Sequence, residues 1–246
     1  MIRECCGLIV KEYSNDNIYF IEENMDLELC KKIVEMIEKL PLKMKKYSDG
    51  NNVKCYVTSG ENLEKTSEES YYYLSTEKNE YENLLKNIHK RISTNDLNGV
   101  DRKDIRDIFE IIEERLIKIK NIMGNINEKL KMKVFADIML RKIYGQTRLH
   151  TDGILNNMKS PSAYFLYENG SIFKNERILR SSSIIIQLND DYEGGIFNFP
   201  KYDVSIKLKR GSAIIFPPYW THEHMVSELE NKTYRYTITT WGCETF

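Results

Sequence analysis

The hydrophobic pattern changes its period near residue 134, and this change constrains the fold more than any other feature of the sequence. Upstream, apolar residues recur every three or four positions, which is typical of helices with one buried face. Downstream, short runs rich in β-branched and aromatic residues alternate with turn residues. These runs are Val134–Tyr144, Ser162–Tyr167, Ser181–Leu188, Gly195–Phe199, Val204–Leu208, Ser212–Phe216 and Tyr234–Trp241. Many short strands at regular spacing predict a β-sandwich or a barrel.

The upstream part predicts a layer of helices. One helix is predicted to begin after Asp26, and Pro41 marks its end. Two more are predicted at about residues 76–92 and 101–123, with Gly124 as the stop signal of the second. The chain is therefore expected to be an α+β protein, in which N-terminal helices pack on a C-terminal double-sheet β-fold.

Two upstream stretches depart from the helical period. Ile18–Ile21 is predicted to form a strand. Residues 42–75 are polar and contain many Gly, Ser and Asn residues, with one candidate strand at Val53–Val57. We interpret this stretch as a loop that covers the substrate, with a solvated connection as the alternative.

Charge and cysteine content argue against several classes of protein. The 246 residues contain 36 Lys and Arg against 37 Asp and Glu, so a nucleic-acid partner is not expected.

The apolar run Cys6–Val10 is too short for a signal peptide, and no run of membrane-spanning length follows. The five Cys include no C-x-x-C pair, which argues against a disulfide framework or a zinc ribbon. We therefore expect an intracellular, cytoplasmic protein without a membrane partner; its oligomeric state stays open.

Three of the four histidines lie in two short segments that suit a metal ion. His150 and Asp152 are two residues apart at the end of a strand-like run, so both side chains can point to the same side. The third ligand is His222 or His224, which alternation cannot separate. The shorter connection to the following strand favours His224, and His222 is then an outer or entrance residue. Two imidazoles and one carboxylate form the facial triad of non-haem Fe(II) oxygenases, with coordination positions left open.

The last predicted strand offers a site for a carboxylate. Alternation places Arg235 and Thr239 on one face, and an Arg that points into a β-fold needs an anion as its partner. The alternative is an exposed edge-strand Arg. Tyr144 is a further candidate, since its hydroxyl can donate toward a bound small molecule. Glu193-Gly194-Gly195 predicts a tight turn.

These segments, in this order, resemble the 2-oxoglutarate/Fe(II)-dependent oxygenase superfamily, in particular its prolyl 4-hydroxylase-like and lysyl hydroxylase-like branch. The resemblance covers about residues 134–241. It is carried by Tyr144-Gly145, His150-x-Asp152, Ile186-Gln187-Leu188-Asn189, Asp191-Tyr192-Glu193-Gly194-Gly195, Phe199-Pro200, Lys209-Arg210-Gly211-Ser212-Ala213, Phe216-Pro217, His224 and Arg235-Tyr236. Thr221-His222-Glu223-His224 is similar to lysyl hydroxylases, whose second His of such a pair is the ligand. The sequence departs from the pattern at Ile186, where some relatives place a Tyr that helps to hold 2-oxoglutarate.

The resemblance implies a fold and a division of the chain. The fold is a double-stranded β-helix, the jelly-roll or cupin-like core, with N-terminal supporting helices. Residues 1–246 would form a single oxygenase domain. Residues 1–130 would be a mainly helical support region with an early strand, and residues 131–246 the catalytic core.

The resemblance also implies an activity. His150, Asp152 and His224 would bind Fe(II), and Arg235 would hold the C5 carboxylate of 2-oxoglutarate, with Tyr144 and Thr239 as further cofactor-binding residues. The co-substrates would be 2-oxoglutarate and O2, with ascorbate as an additional candidate cofactor. The expected reaction is hydroxylation of a peptidyl Pro or Lys in a protein or peptide substrate, with release of succinate and CO2. The alternatives are a nucleic-acid or small-molecule oxygenase of the same superfamily, and a catalytically silent β-fold that binds a ligand.

Overall fold

The computed structural model of the chain describes residues 1–13, 17–40, 43–46, 68–74, 102–135, 138–153 and 178–245. Two β-sheets face each other, and two long helices cover the outer side of the larger sheet. This arrangement confirms the predicted α+β class and the double-stranded β-helix. The predicted helix at 76–92 and the predicted strands Val53–Val57 and Ser162–Tyr167 lie outside the described residues.

Within the described residues, the larger sheet has ten strands that come from both parts of the chain. The strands are β1 Ile2–Cys5, β2 Leu8–Tyr13, β3 Ile18–Ile21, β4 Lys43–Lys46, β5 Glu68–Leu74, β6 Val134–Phe135, β7 Ile138–Ile143, β9 Ile178–Gln187, β13 Ala213–Phe216 and β16 Arg235–Thr245. The main path of the sheet runs in the order β1-β2-β3-β13-β9-β16-β7-β5-β4, and β6 pairs with β16. Because β3 pairs with β13, and β5 with β7, the N-terminal strands extend the same sheet as the C-terminal ones.

In the part of the chain that the structure describes, the smaller sheet has four strands, which are β8 Thr147–His150, β11 Phe197–Phe199, β12 Val204–Ile206 and β14 His224–Val226. Their order in the sheet is β12-β11-β14-β8. A separate pair joins β10 Glu193–Gly194 to β15 Leu229–Glu230. The inner faces of the larger and the smaller sheet share a core that includes Phe199, Phe216 and Ile185, so the two sheets pack as a sandwich.

The helices cover the outer face of the larger sheet. Helix α1, Leu27–Lys39, begins where the Asp26 carboxylate accepts hydrogen bonds from two backbone N–H groups of the first turn. Helix α2 spans Arg102–Ile126, so the prediction that it stops at Gly124 was wrong. Its apolar stripe packs on the same core as α1, and this burial outweighs the weak helix propensity of one glycine. Among the described residues, none of the helices has both the length and the apolarity to cross a bilayer.

Strands β9 and β16 separate the helical core from the inner space of the sandwich. In β9, Ile184 and Ile186 pack with the helices, while Ile185 faces the smaller sheet. In β16, Ile238 packs with the helices, so Thr237 and Thr239 point to the inner side. The central strands are thus buried on both faces, and their inner residues line the site.

Two parts of the sheet differ from the sequence-based prediction. The N-terminal strands β1 and β2 form a hairpin with a turn at Cys6-Gly7, which the sequence pattern did not reveal. The stretch 42–75, interpreted as a covering loop, contributes strands β4 and β5, which pair with each other. Residues 47–67 between them lie outside the described part of the chain.

Candidate metal centre

Strand pairing brings the two predicted histidine ligands side by side. His150 ends β8 and His224 begins β14, and the two residues are directly opposite each other in the smaller sheet. Their ring centroids are 4.3 Å apart. Asp152 follows His150 by two residues, and its Oδ1 lies 3.4 Å from Nε2 of His150. One ligand atom of each of the three residues lies within 4.8 Å of those of the other two, which is close enough for a single ion.

Backbone carbonyls fix the orientation of both imidazoles. Nδ1 of His150 donates to the carbonyl oxygen of Arg148 at 2.8 Å, and Nδ1 of His224 donates to that of His222 at 3.1 Å. A carbonyl can only accept, so each Nδ1 carries the proton and each Nε2 keeps its lone pair. An imidazole held in this way through its other nitrogen is prepared for metal binding.

The Asp152 carboxylate is held by a second contact. Oγ of Ser183, on the inner face of β9, donates to Oδ2 of Asp152 at 2.6 Å. Burial alone would raise the pKa of Asp152. The hydrogen bond and charge of His150, the charge of His224 and the bond from Ser183 together bring it well below its ordinary value. Asp152 is therefore ionised at neutral pH, as a metal ligand must be.

His224 lies in an apolar environment. It is 3% exposed, and the rings of Phe197, Phe199 and Phe216 surround its imidazole at centroid distances of 4.6–5.8 Å. Burial, together with the neighbouring His150, lowers the pKa of His224 to about 4. The ring is thus neutral at physiological pH, and only the neutral form binds a metal. The donor set of two imidazoles and one carboxylate fits Fe(II).

His222 lies outside this cluster. Its ring is buried, with Nδ1 2.8 Å from Oγ1 of Thr221 and its centroid 5.0 Å from that of Tyr202. Its carbonyl supports His224, as described above. The structure therefore separates two histidines that sequence alternation could not.

Arg235, at the start of β16, is 2% exposed and points into the sandwich. Its guanidinium carbon lies 5.3 Å from the centroid of the Phe197 ring, which also stacks with His224. Its positive charge also acts on the buried Tyr192. Burial raises the pKa of Tyr192 to about 12, and the charge of Arg235 partly opposes this rise. A guanidinium in such a place can hold a carboxylate through two parallel hydrogen bonds.

The other two predicted cofactor-binding residues have different surroundings. Thr239 lies on the inner face of β16, where its Oγ1 accepts a hydrogen bond from Nη1 of Arg141 at 3.2 Å. Tyr144 follows β7, and its ring packs 5.7 Å from that of Tyr234. The role of Tyr144 and Thr239 in cofactor binding stays a prediction.

The predicted Gly-Gly turn is tightly packed. Gly194 has φ 68°, and a Cβ there would lie 2.0 Å from the carbonyl oxygen of Glu228. The positive φ and the lack of space for a Cβ both exclude any residue other than glycine at this position. Lys207 donates to the carbonyls of Tyr192 and Gly194 at 2.9 and 2.6 Å, and so holds this turn near Arg235.

Sequence reasoning missed residues that position the site without binding the ion. Ser183 supports the Asp152 side chain, and Arg180 donates to the Asp152 carbonyl at 2.7 Å while stacking 3.8 Å from the Trp241 ring centroid. The alternation of Ser181–Leu188 could have placed Ser183 on the inner face. It gives no reason to prefer Ser183 over Ser181, which alternation places on the same face.

Comparison with known proteins agrees with this geometry. Residues 142–242 match the family model described as the 2OG-Fe(II) oxygenase superfamily, and this segment includes the three clustered residues and Arg235. No curated protein matches the chain.

Three solved structures have a similar fold, each at 11% sequence identity. One is the viral collagen prolyl hydroxylase vCPH from Paramecium bursaria Chlorella virus-1 in complex with 2OG, with a TM-score of 0.50 over 95% of this chain and 99% of that one. Another is a prolyl hydroxylase from Trichoplax adhaerens with a peptide fragment of hypoxia inducible factor, with a TM-score of 0.53 over 93% and 84%. The third is a prolyl-4-hydroxylase from Pseudomonas putida, with a TM-score of 0.50 over 93% of each chain. Residues 142–242 therefore match the 2OG-Fe(II) oxygenase superfamily, and the chain has the fold of these prolyl hydroxylases.

Proposed function

We propose that this protein hydroxylates a prolyl or lysyl side chain in a protein or peptide, with release of succinate and CO2. The observation that carries the proposal is the group formed by the half-buried His150 and the buried Asp152 and His224, in which both imidazoles and the carboxylate are already oriented. The fold shared with prolyl hydroxylases supports a peptide substrate, since one of these structures contains a peptide fragment.

We assign the metal-binding roles to the three clustered residues. His150 and His224 would offer their Nε2 lone pairs and Asp152 its Oδ1, with the opposite atom of each group held by the protein. Bound Fe(II) would activate O2 for insertion of one oxygen atom into a C–H bond, with 2-oxoglutarate as the electron donor. Asp152 would supply a carboxylate ligand where a Gly or Ala would leave room for a halide, so hydroxylation is favoured over halogenation.

We assign the distal carboxylate of 2-oxoglutarate to Arg235, with Thr239 and Tyr144 as further contacts. The inner face of β16 and the Phe197 ring keep the Arg235 guanidinium out of water, where a charge-assisted hydrogen bond is strong. The surrounding apolar residues would exclude water from the reacting centre. Ascorbate is proposed as an additional requirement during turnover.

The first experiment is an anaerobic titration with Fe(II) and 2-oxoglutarate, followed by their visible charge-transfer band. The band should form with the wild-type protein and be absent in Asp152→Ala, while the circular dichroism spectrum stays unchanged. Arg235→Ala should keep iron binding and raise the 2-oxoglutarate concentration needed. A full band in Asp152→Ala would contradict the assigned ligands.

The substrate is tested separately. The Fe(II)-loaded protein is incubated with matched peptide libraries rich in Pro or in Lys, and mass gain is compared with succinate formed. Hydroxylation of one library with equal succinate identifies the residue class. Succinate formation with nucleic acid or a small metabolite, and none with either peptide library, would refute the peptidyl assignment but not the oxygenase.

A further inference from the structure

The turn between β1 and β2 brings two thiols together, away from the site described above. Cys5 ends β1 and Cys6 begins the turn, and their Sγ atoms lie 3.7 Å apart. Side chains of adjacent residues in a strand point to opposite faces, so an extended chain would separate these two sulfurs. Cys6 instead has φ 53°, and this left-handed backbone conformation turns its side chain toward that of Cys5. The thiol pair is therefore a product of the turn.

The backbone of this turn favours another residue at the position of Cys6. Cys5 pairs with Leu8, which leaves Cys6-Gly7 as a two-residue turn with positive φ at both positions. Asn or Gly is usual at the first of these positions, because most residues with a Cβ are strained at positive φ. A strained residue of this kind is an outlier from which a function of the side chain can be inferred.

The two sulfurs can be reached from solvent and are anchored on one side. Cys6 is exposed and Cys5 is half-buried, whereas Cys30 and Cys243 are buried. Cys5 packs against the core, and its thiol also hydrogen-bonds the side chain of Asn125 near the end of α2. One sulfur is thus fixed against the body of the protein, and its neighbour lies on the solvent side.

We infer that Cys5 and Cys6 together chelate a thiophilic divalent cation of the Zn(II) type. Two sulfurs that each lie about 2.3 Å from one tetrahedral ion are about 3.8 Å apart. The 3.7 Å between the two Sγ atoms is close to this span. Thiolates are also the ligands that select such ions, whereas the cluster of His150, Asp152 and His224 offers nitrogen and oxygen. Water would complete the coordination.

A disulfide between the two residues fits the turn less well. Adjacent Cα atoms are about 3.8 Å apart across a trans peptide. The Cα atoms of disulfide partners are usually about 4.4 Å apart or more. An ion that bridges the sulfurs needs no such separation, so the geometry favours chelation over oxidation.

The test is an anaerobic titration of the reduced protein with Cd(II), followed by the ultraviolet charge-transfer band of its thiolate complexes. Imidazole and carboxylate ligands give no such band, so an ion held by His150, Asp152 and His224 does not contribute to it. The band of the wild-type protein should saturate, and Zn(II) added afterwards should remove it.

Two variants each remove one sulfur. Cys5→Ser and Cys6→Asn should both weaken Cd(II) binding by about 100-fold or more, because the second sulfur of a chelate binds within the same molecule. Asn suits the positive φ of Cys6, so Cys6→Asn should unfold at the same temperature as the wild type or above it. This variant keeps the test decisive if Cys5→Ser is unstable.

Two controls account for other binding of Cd(II). Glu4→Gln changes the preceding residue of β1, whose side chain alternation directs away from that of Cys5. This change should leave the Cd(II) affinity within about threefold of the wild type, since exposed charges contribute little. Cys55 lies outside the described residues, and any band that it produces stays in both cysteine variants.

The outcomes are independent of the proposed oxygenase function. Absence of the thiolate band in the wild-type protein would overturn the inference, as would equal Cd(II) affinity in the wild type and both cysteine variants. An equal loss in Glu4→Gln would overturn it too, because that result indicates attraction by surface charge. A thiolate band that forms in a protein without the Fe(II)–2-oxoglutarate band would leave this inference standing and refute the proposed function.

Discussion

The hydrogen bond from Ser183 to Asp152 makes the most specific prediction about the metal centre. Ser183 is fully buried, and its hydroxyl is 2.6 Å from the carboxylate oxygen that faces away from His150. Ser183→Ala removes this donor and leaves a buried, ionised oxygen without it. A hydrogen bond to a charged group contributes about 1.5–3 kcal/mol. We therefore expect metal affinity to fall by about 10- to 100-fold, since 1.4 kcal/mol corresponds to a factor of about ten.

The assay is an anaerobic Fe(II) titration of the metal-free protein by calorimetry, repeated with Mn(II) to exclude oxidation. Ser182→Ala is the matched control. Ser182 is adjacent, is also fully buried, and its hydroxyl has no hydrogen-bond partner among the described residues. Its replacement should leave metal affinity within about twofold, since no bond is lost. Equal affinity in the Ser183 variant and the wild type, or an equal loss in both variants, would refute the reasoning.

Two further predictions concern stability and pH. Gly194→Ala should destabilise the protein by about 2 kcal/mol or more, since its Cβ would meet the Glu228 carbonyl at a positive φ. Gly124→Ala, in open space on α2, should stabilise it by about 0.5–1 kcal/mol, and thermal unfolding of both variants checks the pair. The pKa of His224 is about 4 in the folded protein, and its ordinary value is 6.5. Between pH 4 and pH 6.5, the unfolded protein therefore binds more protons at this histidine than the folded protein does. The metal-free protein should therefore lose stability as pH falls from 6.5 toward 4, by at most about 1.4 kcal/mol per pH unit. Urea unfolding at several pH values measures this, and an equal loss in His224→Asn would exclude His224 as its source.

Much of the site could be predicted because its residues sit on strands whose period is two. His150 and Asp152 share a side for that reason, and the alternation of β16 gave the inward direction of Arg235. The choice of His224 over His222 rested on a loop length and on a family resemblance. The structure supplies the physical difference, which is the direction in which each ring packs.

The parts that sequence could not predict depend on tertiary contacts. The β1–β2 hairpin has exposed edge residues and a short apolar run, so its strand character comes from pairing with β3. Gly124 lies in a helix because neighbouring apolar residues are buried against the sheet. Arg141 and Ser183 carry no motif; only the register that places them beside Thr239 and Asp152 reveals their contacts.

The two-sided burial of β16 limits how this gene can change in length. An insertion or deletion of one codon within the strand would exchange its faces, because side chains alternate. Arg235 would then face the helices, and Ile238, which packs with the helices, would face the metal centre. Folding and catalysis would be lost by the same event. We therefore expect length variation among relatives to fall in the connections, and the spacing from Arg235 to Trp241 to stay constant.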